Sequence, residues 1–106
     1  MELLFGDIVL LKFPFTTGEK QKRKPALVIR DTKDNDIIVC RITSRYYNSE
    51  FDFEVINWEK CGLMLPSVIR LHKIATLDMK LVEQKIGKID SKLNDKLKNK
   101  IKVLAD

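Results

Sequence analysis

The sequence predicts a mainly β domain with one C-terminal α-helix, in which five or six antiparallel strands form a small, strongly bent, barrel-like sheet. Short apolar, β-prone runs recur over residues 7–89 and are separated by polar or turn-forming segments. After them, apolar residues recur at helical spacing among lysines, with Asp90 as the predicted N-cap. A length of 106 residues predicts one domain, residues 1–106. The apolar helix positions are Leu93, Leu97, Ile101 and Leu104.

Each predicted strand has its own local signal. Pro14 ends regular pairing in the first strand, and the turn composition of residues 31–36 predicts a hairpin between the second and third strands. Strict alternation marks the fourth strand as half exposed. In the fifth strand, Val68, Arg70 and His72 are predicted to share one face, because side chains alternate with a period of two. The predicted strands are residues 7–15, 26–30, 37–42, 51–56, 67–74 and a short strand over 84–89 around Gly87.

Three consecutive cations, Lys22, Arg23 and Lys24, precede Pro25 and the second strand. Proline disfavours the helical region for the residue before it, so residues 16–24 are predicted to form a mobile, positive loop. The formal net charge of +5 favours an anionic partner such as nucleic acid or an acidic protein. The alternative is that much of this charge is the solvated lysine face of residues 80–102.

The two cysteines, Cys40 and Cys61, lie in apolar surroundings and lack CxxC spacing. This pattern predicts neither a metal site nor a disulfide, and it fits a reducing cytosol. No apolar run approaches the roughly 20 residues needed to cross a bilayer, so a soluble, cytoplasmic protein without metal or other cofactor is predicted.

The sequence contains no glycine-rich phosphate loop, no HExxH and no GxSxG motif, which removes the common nucleotide, zinc-hydrolase and serine-hydrolase functions. The residues that remain suit metal-free cleavage of RNA. That reaction needs groups that move a proton from the 2′-hydroxyl and to the leaving 5′-oxygen, and cations for the charge that grows on phosphorus. The candidate catalytic residues are Arg23, Lys24, Thr43, Ser44, Arg70 and His72.

His72 is the only histidine, the residue type that titrates near neutrality, and is the predicted acid or base. Arg70 and Arg23 are predicted to hold phosphate, since a guanidinium is permanently charged and bidentate. Thr43 or Ser44 is predicted to donate a hydrogen bond to a phosphoryl oxygen. The alternatives are an ordinary surface histidine and a Thr-Ser pair that bonds its own turn.

Five blocks, in this order and spacing, resemble the MazF/PemK family of toxin–antitoxin ribonucleases, and the resemblance runs from Gly6 to about Asp90. It implies an SH3-like antiparallel barrel of the CcdB/PemK kind, a homodimer, an acidic antitoxin, and cleavage of single-stranded RNA to a cyclic phosphate and a 5′-hydroxyl. The blocks are Gly6-Asp7-Ile8-Val9, Thr17-Gly18 through Gln21, Lys24-Pro25-Ala26-Leu27-Val28-Ile29, Ile42-Thr43-Ser44, and Gly62-Leu63 with Ser67-Val68-Ile69-Arg70.

The match differs from residue to residue. Thr43 and Ser44 match the family's hydroxyl pair, and Arg70 matches an arginine that some members use. Lys24 stands where the family usually has a catalytic arginine, and His72 stands where those members carry an acidic base. The sequence leaves open whether these two departures retune, weaken or abolish cleavage. The predicted RNA-binding residues are Thr17, Glu19, Lys20, Gln21, Lys22 and Arg45.

Two other functions remain open. One is a CcdB-like relative that poisons DNA gyrase by binding it, although that branch usually ends in a tryptophan and this chain ends at Asp106. The other is a catalytically degenerate RNA binder. The basic stretch and the Arg70/His72 pair favour the nuclease, because a protein-binding poison needs no phosphate site.

Overall fold

A computed structural model describes residues 2–13 and 22–106 of the chain. These residues form six β-strands, a single 3₁₀ turn and one α-helix. The elements are β1 (Asp7–Phe13), β2 (Lys22–Asp31), β3 (Asp36–Thr43), β4 (Asp52–Val55), β5 (Ser67–Asp78), the 3₁₀ turn (Met79–Leu81), β6 (Val82–Lys88) and α1 (Ser91–Leu104).

The strands form one antiparallel sheet in the order β4-β5-β3-β2-β1-β6. The predicted fold class, mainly β with a C-terminal helix, is therefore confirmed, and so is the hairpin of β2 and β3. Within residues 2–13 and 22–106, the edge strands β4 and β6 do not pair with each other, so the sheet is bent but not closed.

The pairing of β5 with β3 contains a bulge. Cys40 of β3 pairs with Ile74, but the next residue, Arg41, pairs with Arg70, so residues 71–73 lie opposite no partner in β3. Extra residues of this kind bend a strand and redirect its side chains. His72 lies at the centre of this bulge.

Alternate residues of β1–β3 enter two apolar clusters on opposite faces of the sheet, as the period of two requires. Helix α1 covers the larger cluster and inserts Leu97, which is fully buried. Asp90 caps the helix as predicted, because its carboxylate accepts a hydrogen bond from the Leu93 N–H at 2.8 Å. The second cluster contains Leu3, Val9, Leu11, Ala26, Val28, Ile37 and Val39.

The predicted loop over residues 16–24 is wrong for its last three residues. Lys22, Arg23 and Lys24 belong to β2 and pair with Phe13, Lys12 and Leu11 of β1. Their charge made the segment look like a loop, but exposed cations are compatible with a strand that pairs on one side. Pairing with β3 begins only at Ala26, so the missing N–H of Pro25 is tolerated there. The other predicted loop residues, and the end of the first strand at residues 14–15, lie outside the described residues.

The other strand ends differ by a few residues from the prediction. β5 continues to Asp78 instead of ending at residue 74, because its second half pairs with β3 as far as Asp36. β4 is shorter by one residue at its start and one at its end, and β6 begins two residues earlier than predicted. Both cysteines are buried and free of disulfides, and burial raises the pKa of the Cys40 thiol to about 12. No helix in the described part of the chain is long and apolar enough to span a membrane.

Candidate functional site

A cleft of about 820 Å³ lies where β2 and β3 reach the loop over residues 62–65. We call it the cationic cleft, because positive side chains and a hydroxyl pair line it together. The charged and hydroxyl-bearing residues that line it are Lys22, Arg23, Lys24, Arg41, Thr43, Ser44, Ser67 and Lys73.

The sheet register explains why these side chains meet. Ala26 pairs with Arg41 across β2 and β3, so their side chains point to the same face. Lys24 lies two residues from Ala26, and Thr43 lies two residues from Arg41, which places both on that face as well. The two strands hold the basic and hydroxyl groups side by side.

The positive charges in the cleft are close enough to repel one another. The pKa of Lys24 is lowered, chiefly by the positive charge of Lys22 and further by partial burial and by Arg41. All three side chains are exposed, and none forms an ion pair with a carboxylate among residues 2–13 and 22–106. The cluster of Lys22, Lys24 and Arg41 is therefore arranged to receive an anion.

Arg23 also lines the cleft. Side chains alternate along a strand, so the Arg23 side chain points to the opposite side of β2 from those of Lys22 and Lys24. Its Nε donates to Oε2 of Glu83 in β6 at 2.7 Å, and both side chains are partly exposed. This hydrogen bond lowers the pKa of Glu83. Arg23 thus has a carboxylate partner, whereas Lys22, Lys24 and Arg41 have none in the part of the chain that the structure describes.

The hydroxyl pair lies at the end of β3. Thr43 Oγ1 accepts a hydrogen bond from the Arg45 N–H at 3.1 Å, the local turn contact that was one of the alternatives for this residue. A hydroxyl that accepts one bond keeps its own hydrogen for donation. Ser44 is exposed and also lines a second cleft, of about 410 Å³.

Arg70 is not among the residues that line the cationic cleft. Its Nε donates to Oδ1 of Asp52 at 2.8 Å, and its guanidinium carbon lies 3.6 Å from the centre of the Tyr47 ring. Burial raises the pKa of Asp52, but hydrogen bonds from Arg70 and Ser49 outweigh it and lower that pKa to about 2. The guanidinium of Arg70 is thus already paired and stacked.

His72 contacts Arg70, as their predicted shared face requires. His72 Nε2 lies 3.5 Å from Nη2 of Arg70, and the imidazole packs against Phe51 with ring centres 5.6 Å apart. Because a guanidinium only donates, Nε2 is the side of the imidazole that can accept a hydrogen bond from Arg70. His72 Nδ1 is buried without a hydrogen-bond partner in the described part of the protein.

The Arg70/His72 group and the cationic cleft adjoin across the sheet. Arg70 pairs with Arg41 on one side and with Asp52 on the other. The predicted catalytic residues therefore divide into two neighbouring groups: Arg23, Lys24, Thr43 and Ser44 line the cleft, and Arg70 and His72 lie beside it.

Among the predicted RNA-binding residues, Lys22 lies in the cleft and Arg45 is exposed just beyond β3, 5.5 Å from the centre of the Tyr47 ring. Thr17, Glu19, Lys20 and Gln21 lie outside the described residues. Sequence reasoning missed Arg41. The signal was a single charged residue inside the apolar run of residues 37–42, and the register of β2 against β3 was needed to place it beside Lys24.

The fold is that of a small, mainly β domain with one C-terminal helix. A family model described as PemK-like, MazF-like toxin of type II toxin-antitoxin system matches residues 5–105, and the chain belongs to this family. The suspected resemblance is thereby confirmed. Among curated proteins, no sequence matches significantly.

Solved structures with the same fold include the MazE-MazF complex (Form-III) from Deinococcus radiodurans. It is 22% identical, with a TM-score of 0.73, over 95% of this chain and 94% of that one. An endoribonuclease in complex with its cognate antitoxin, from a mycobacterial species, is 16% identical, with a TM-score of 0.66, over 92% and 88%. The Mycobacterium tuberculosis toxin MazF-mt6 is 18% identical, with a TM-score of 0.66, over 86% and 89%.

Proposed function

We propose that the protein is the toxin of a type II toxin–antitoxin pair and a metal-independent endoribonuclease that cleaves single-stranded RNA in the cytoplasm. The observation that carries this proposal is the cluster of Lys22, Lys24 and Arg41 beside the Thr43/Ser44 hydroxyl pair. Among residues 2–13 and 22–106 these cations have no carboxylate partner, and a cation cluster of that kind in a cleft suits a phosphodiester backbone. Membership of the toxin family supports the same function.

The proposed reaction is an attack of the 2′-oxygen on the adjacent phosphorus. The bond from O2′ to phosphorus forms, the bond from phosphorus to O5′ breaks, and the products are a cyclic phosphate and a 5′-hydroxyl. One proton leaves the 2′-hydroxyl and one reaches the departing 5′-oxygen. His72 takes part in this proton transfer, Lys24 stabilises the charge on the phosphoryl oxygens, and Thr43 or Ser44 donates to one of them.

Arg70 and Arg23 have less direct roles in this proposal than the sequence alone assigned. Arg70 contacts His72 and holds the imidazole at the border of the cleft, while its own charge is balanced by Asp52. Arg23 adds positive potential at the cleft, reduced by its pairing with Glu83. Both arginines act on the phosphate through the positive electrostatic potential that they contribute to the site.

A second candidate is an RNA-binding relative that does not cleave. One observation favours it: His72 Nε2 lies 3.5 Å from Nη2 of Arg70, so the nitrogen that would move a proton faces a guanidinium. In this case the cationic cleft would bind RNA while the reaction fails. The gyrase-binding alternative gains no support from the structure, because the cationic cleft suits a polyanion.

We also propose two protein partners. A second copy of the chain would cover exposed apolar side chains near the cleft, since such residues commonly mark interfaces; Ile56 is 88% exposed and Met64 is 87% exposed. An acidic antitoxin, of the kind bound in the two toxin–antitoxin structures above, would wrap over the cations of β2 and the face of Arg70. Sedimentation that gives only a 12.3 kDa species at micromolar concentration would contradict the homodimer.

The direct test is incubation of the purified protein with single-stranded RNA in the presence of EDTA. We expect cleavage, and we expect Lys24→Ala to reduce it while a lysine exchanged on the exposed helix face, Lys92→Ala, has no effect. RNA that is bound but left intact would establish the non-cleaving alternative. RNA that is neither bound nor cut would contradict both.

A further inference from the structure

Arg23 and Arg41 line the cationic cleft, Arg70 adjoins it, and the exposed Arg45 lies just beyond β3, outside the cleft lining. Arg23 donates to Glu83, and Arg70 donates to Asp52. Arg41 is exposed in the cationic cleft and forms no ion pair among residues 2–13 and 22–106. Of the two arginines that line the cationic cleft, Arg41 is thus the one without a carboxylate partner in the described part of the chain, and its donors are available to a ligand.

On the basis of the proposed function, we infer that Arg41 binds the phosphate that undergoes cleavage and supplies the bidentate contact that Lys24 cannot make. A lysine ammonium is a point charge, whereas a guanidinium presents parallel N–H groups that match two phosphate oxygens. With Lys24 alone, the site would attract a phosphate without fixing its orientation. Arg41 fixes it.

The position of Arg41 fits this role. It faces the same side of the sheet as Lys24, and it lies two residues from Thr43 on β3, a separation of about 7 Å along a strand. A long arginine side chain and a threonine hydroxyl at that spacing reach the same phosphate group. β3 is also an interior strand of the sheet, paired with β2 and β5, so the backbone that carries Arg41 is held on both sides.

The charge around Arg41 points to an anionic ligand. The positive charge of Arg41 contributes to the lowered pKa of Lys24, and Arg70 of β5 is its partner in the sheet on the other side. Like charges placed side by side raise the free energy of the unliganded protein. A phosphate bound between Lys24 and Arg41 removes that repulsion.

The experiment compares four variants with the wild type. Arg41→Ala removes the guanidinium, and Arg41→Lys keeps the positive charge but not the parallel N–H groups. Arg30→Ala is the matched control, since Arg30 is an exposed arginine of β2 that does not line the cleft. The double variant Lys24→Arg with Arg41→Ala moves the guanidinium from β3 to β2.

Two quantities are measured for each variant. One is the single-turnover rate on single-stranded RNA. The other is the affinity, as a function of salt, for the same oligonucleotide with 2′-deoxyribose at the scissile position, which leaves the phosphate in place. A change in protein stability alone does not alter the slope of log affinity against log salt, provided that thermal melting shows each variant folded.

We expect Arg41→Ala to lower the cleavage rate by roughly tenfold to hundredfold, as for loss of a hydrogen-bonded charge, and to reduce the salt slope by about 0.7. Arg41→Lys should keep the slope and lose most of the rate. The double variant should recover activity relative to Arg41→Ala, and Arg30→Ala should match the wild type.

Failures of the two proposals can be told apart. If the wild type cleaves RNA and Arg41→Ala matches Arg30→Ala in rate and slope, the role of Arg41 is overturned and the nuclease function stands. If the wild type binds the oligonucleotide without cutting RNA, and Arg41→Ala reduces the slope, the phosphate contact is supported and the nuclease function fails. Absence of binding by the wild type overturns both.

Discussion

Arg70 and Asp52 form a buried ion pair between β5 and β4, with 2.8 Å between Nε and Oδ1. The Arg70 side chain is 12% exposed and the Asp52 side chain 1%. Asp52 Oδ2 also accepts the Ser49 N–H, so the pair ties β5 to the segment that precedes β4. Arg70, which the sequence predicts as a phosphate ligand, thus has a buried carboxylate partner beside the cleft.

We predict that Arg70→Ala lowers the free energy of unfolding by roughly 3–5 kcal/mol, because it leaves the Asp52 carboxylate buried without its partner. Replacing both residues with alanine should cost less than Arg70→Ala alone, since no unpaired charge remains. Chemical denaturation of the wild type, both single variants and the double variant measures this cycle. Equal stabilities of Arg70→Ala and the wild type would show that the pair is not structural.

The same pair predicts a dependence of stability on pH. The pKa of Asp52 falls from an ordinary value of 3.8 to about 2 in the folded protein. A lowered folded-state pKa gives stability that is present above about pH 4 and is lost as the pH falls toward 2. The difference corresponds to roughly 2 kcal/mol.

Urea denaturation at several pH values between 2 and 5 measures this loss. Asp52→Asn should be less stable than the wild type at pH 5 and should show a flatter dependence below pH 4. If the two proteins lost stability in parallel over this range, the low pKa of Asp52 would be contradicted.

We predict that Gly87→Ala is severely destabilising. A Cβ at Gly87 would collide with the carbonyl oxygen of Cys61, because β6 and the loop after β4 approach with their backbones in contact. Backbone cannot move aside as a flexible side chain can, so we expect a loss of more than about 3 kcal/mol. Gly18→Ala, in a segment predicted to be a loop, serves as a comparison, and thermal melting followed by circular dichroism measures both.

We predict that His72→Ala lowers the cleavage rate by about 10²–10⁴, the usual loss for a positioned acid or base. His72→Gln keeps a hydrogen-bonding side chain of similar size, so it separates proton transfer from contact with Arg70. Single-turnover cleavage at constant pH measures both variants, and their melting temperatures show whether folding is affected. Full activity of His72→Ala would remove histidine from the mechanism and transfer its role to the cationic cleft.

Most of the fold followed from the sequence because its signals are local. Short apolar runs bounded by turn residues, with alternation in β4, predicted the strands, and the Asp90 cap with Leu93 and Leu97 predicted helix α1. The basic segment was interpreted wrongly because three adjacent cations give no periodic signal. Their strand conformation comes from pairing with β1, which is a contact distant in sequence.

The candidate site was less predictable for the same reason. Two-residue periodicity placed Arg70 and His72 together, and their contact at 3.5 Å agrees with it. The pairing of Arg70 with Asp52, and the placement of Arg41 beside Lys24, depend on the register of neighbouring strands. No pattern within a single strand specifies that register.

The most direct test of the proposed function compares cleavage of a single-stranded RNA with cleavage of the same molecule carrying 2′-deoxyribose at the scissile position. The proposed reaction forms a bond from the 2′-oxygen to phosphorus. We therefore expect cleavage of the all-ribose RNA, with a cyclic phosphate and a 5′-hydroxyl as ends, and no cleavage of the deoxy-substituted molecule. Both oligonucleotides should bind with similar affinity, since the phosphate is retained. Cleavage of the deoxy-substituted molecule at that position would contradict the mechanism, whichever side chain moves the proton.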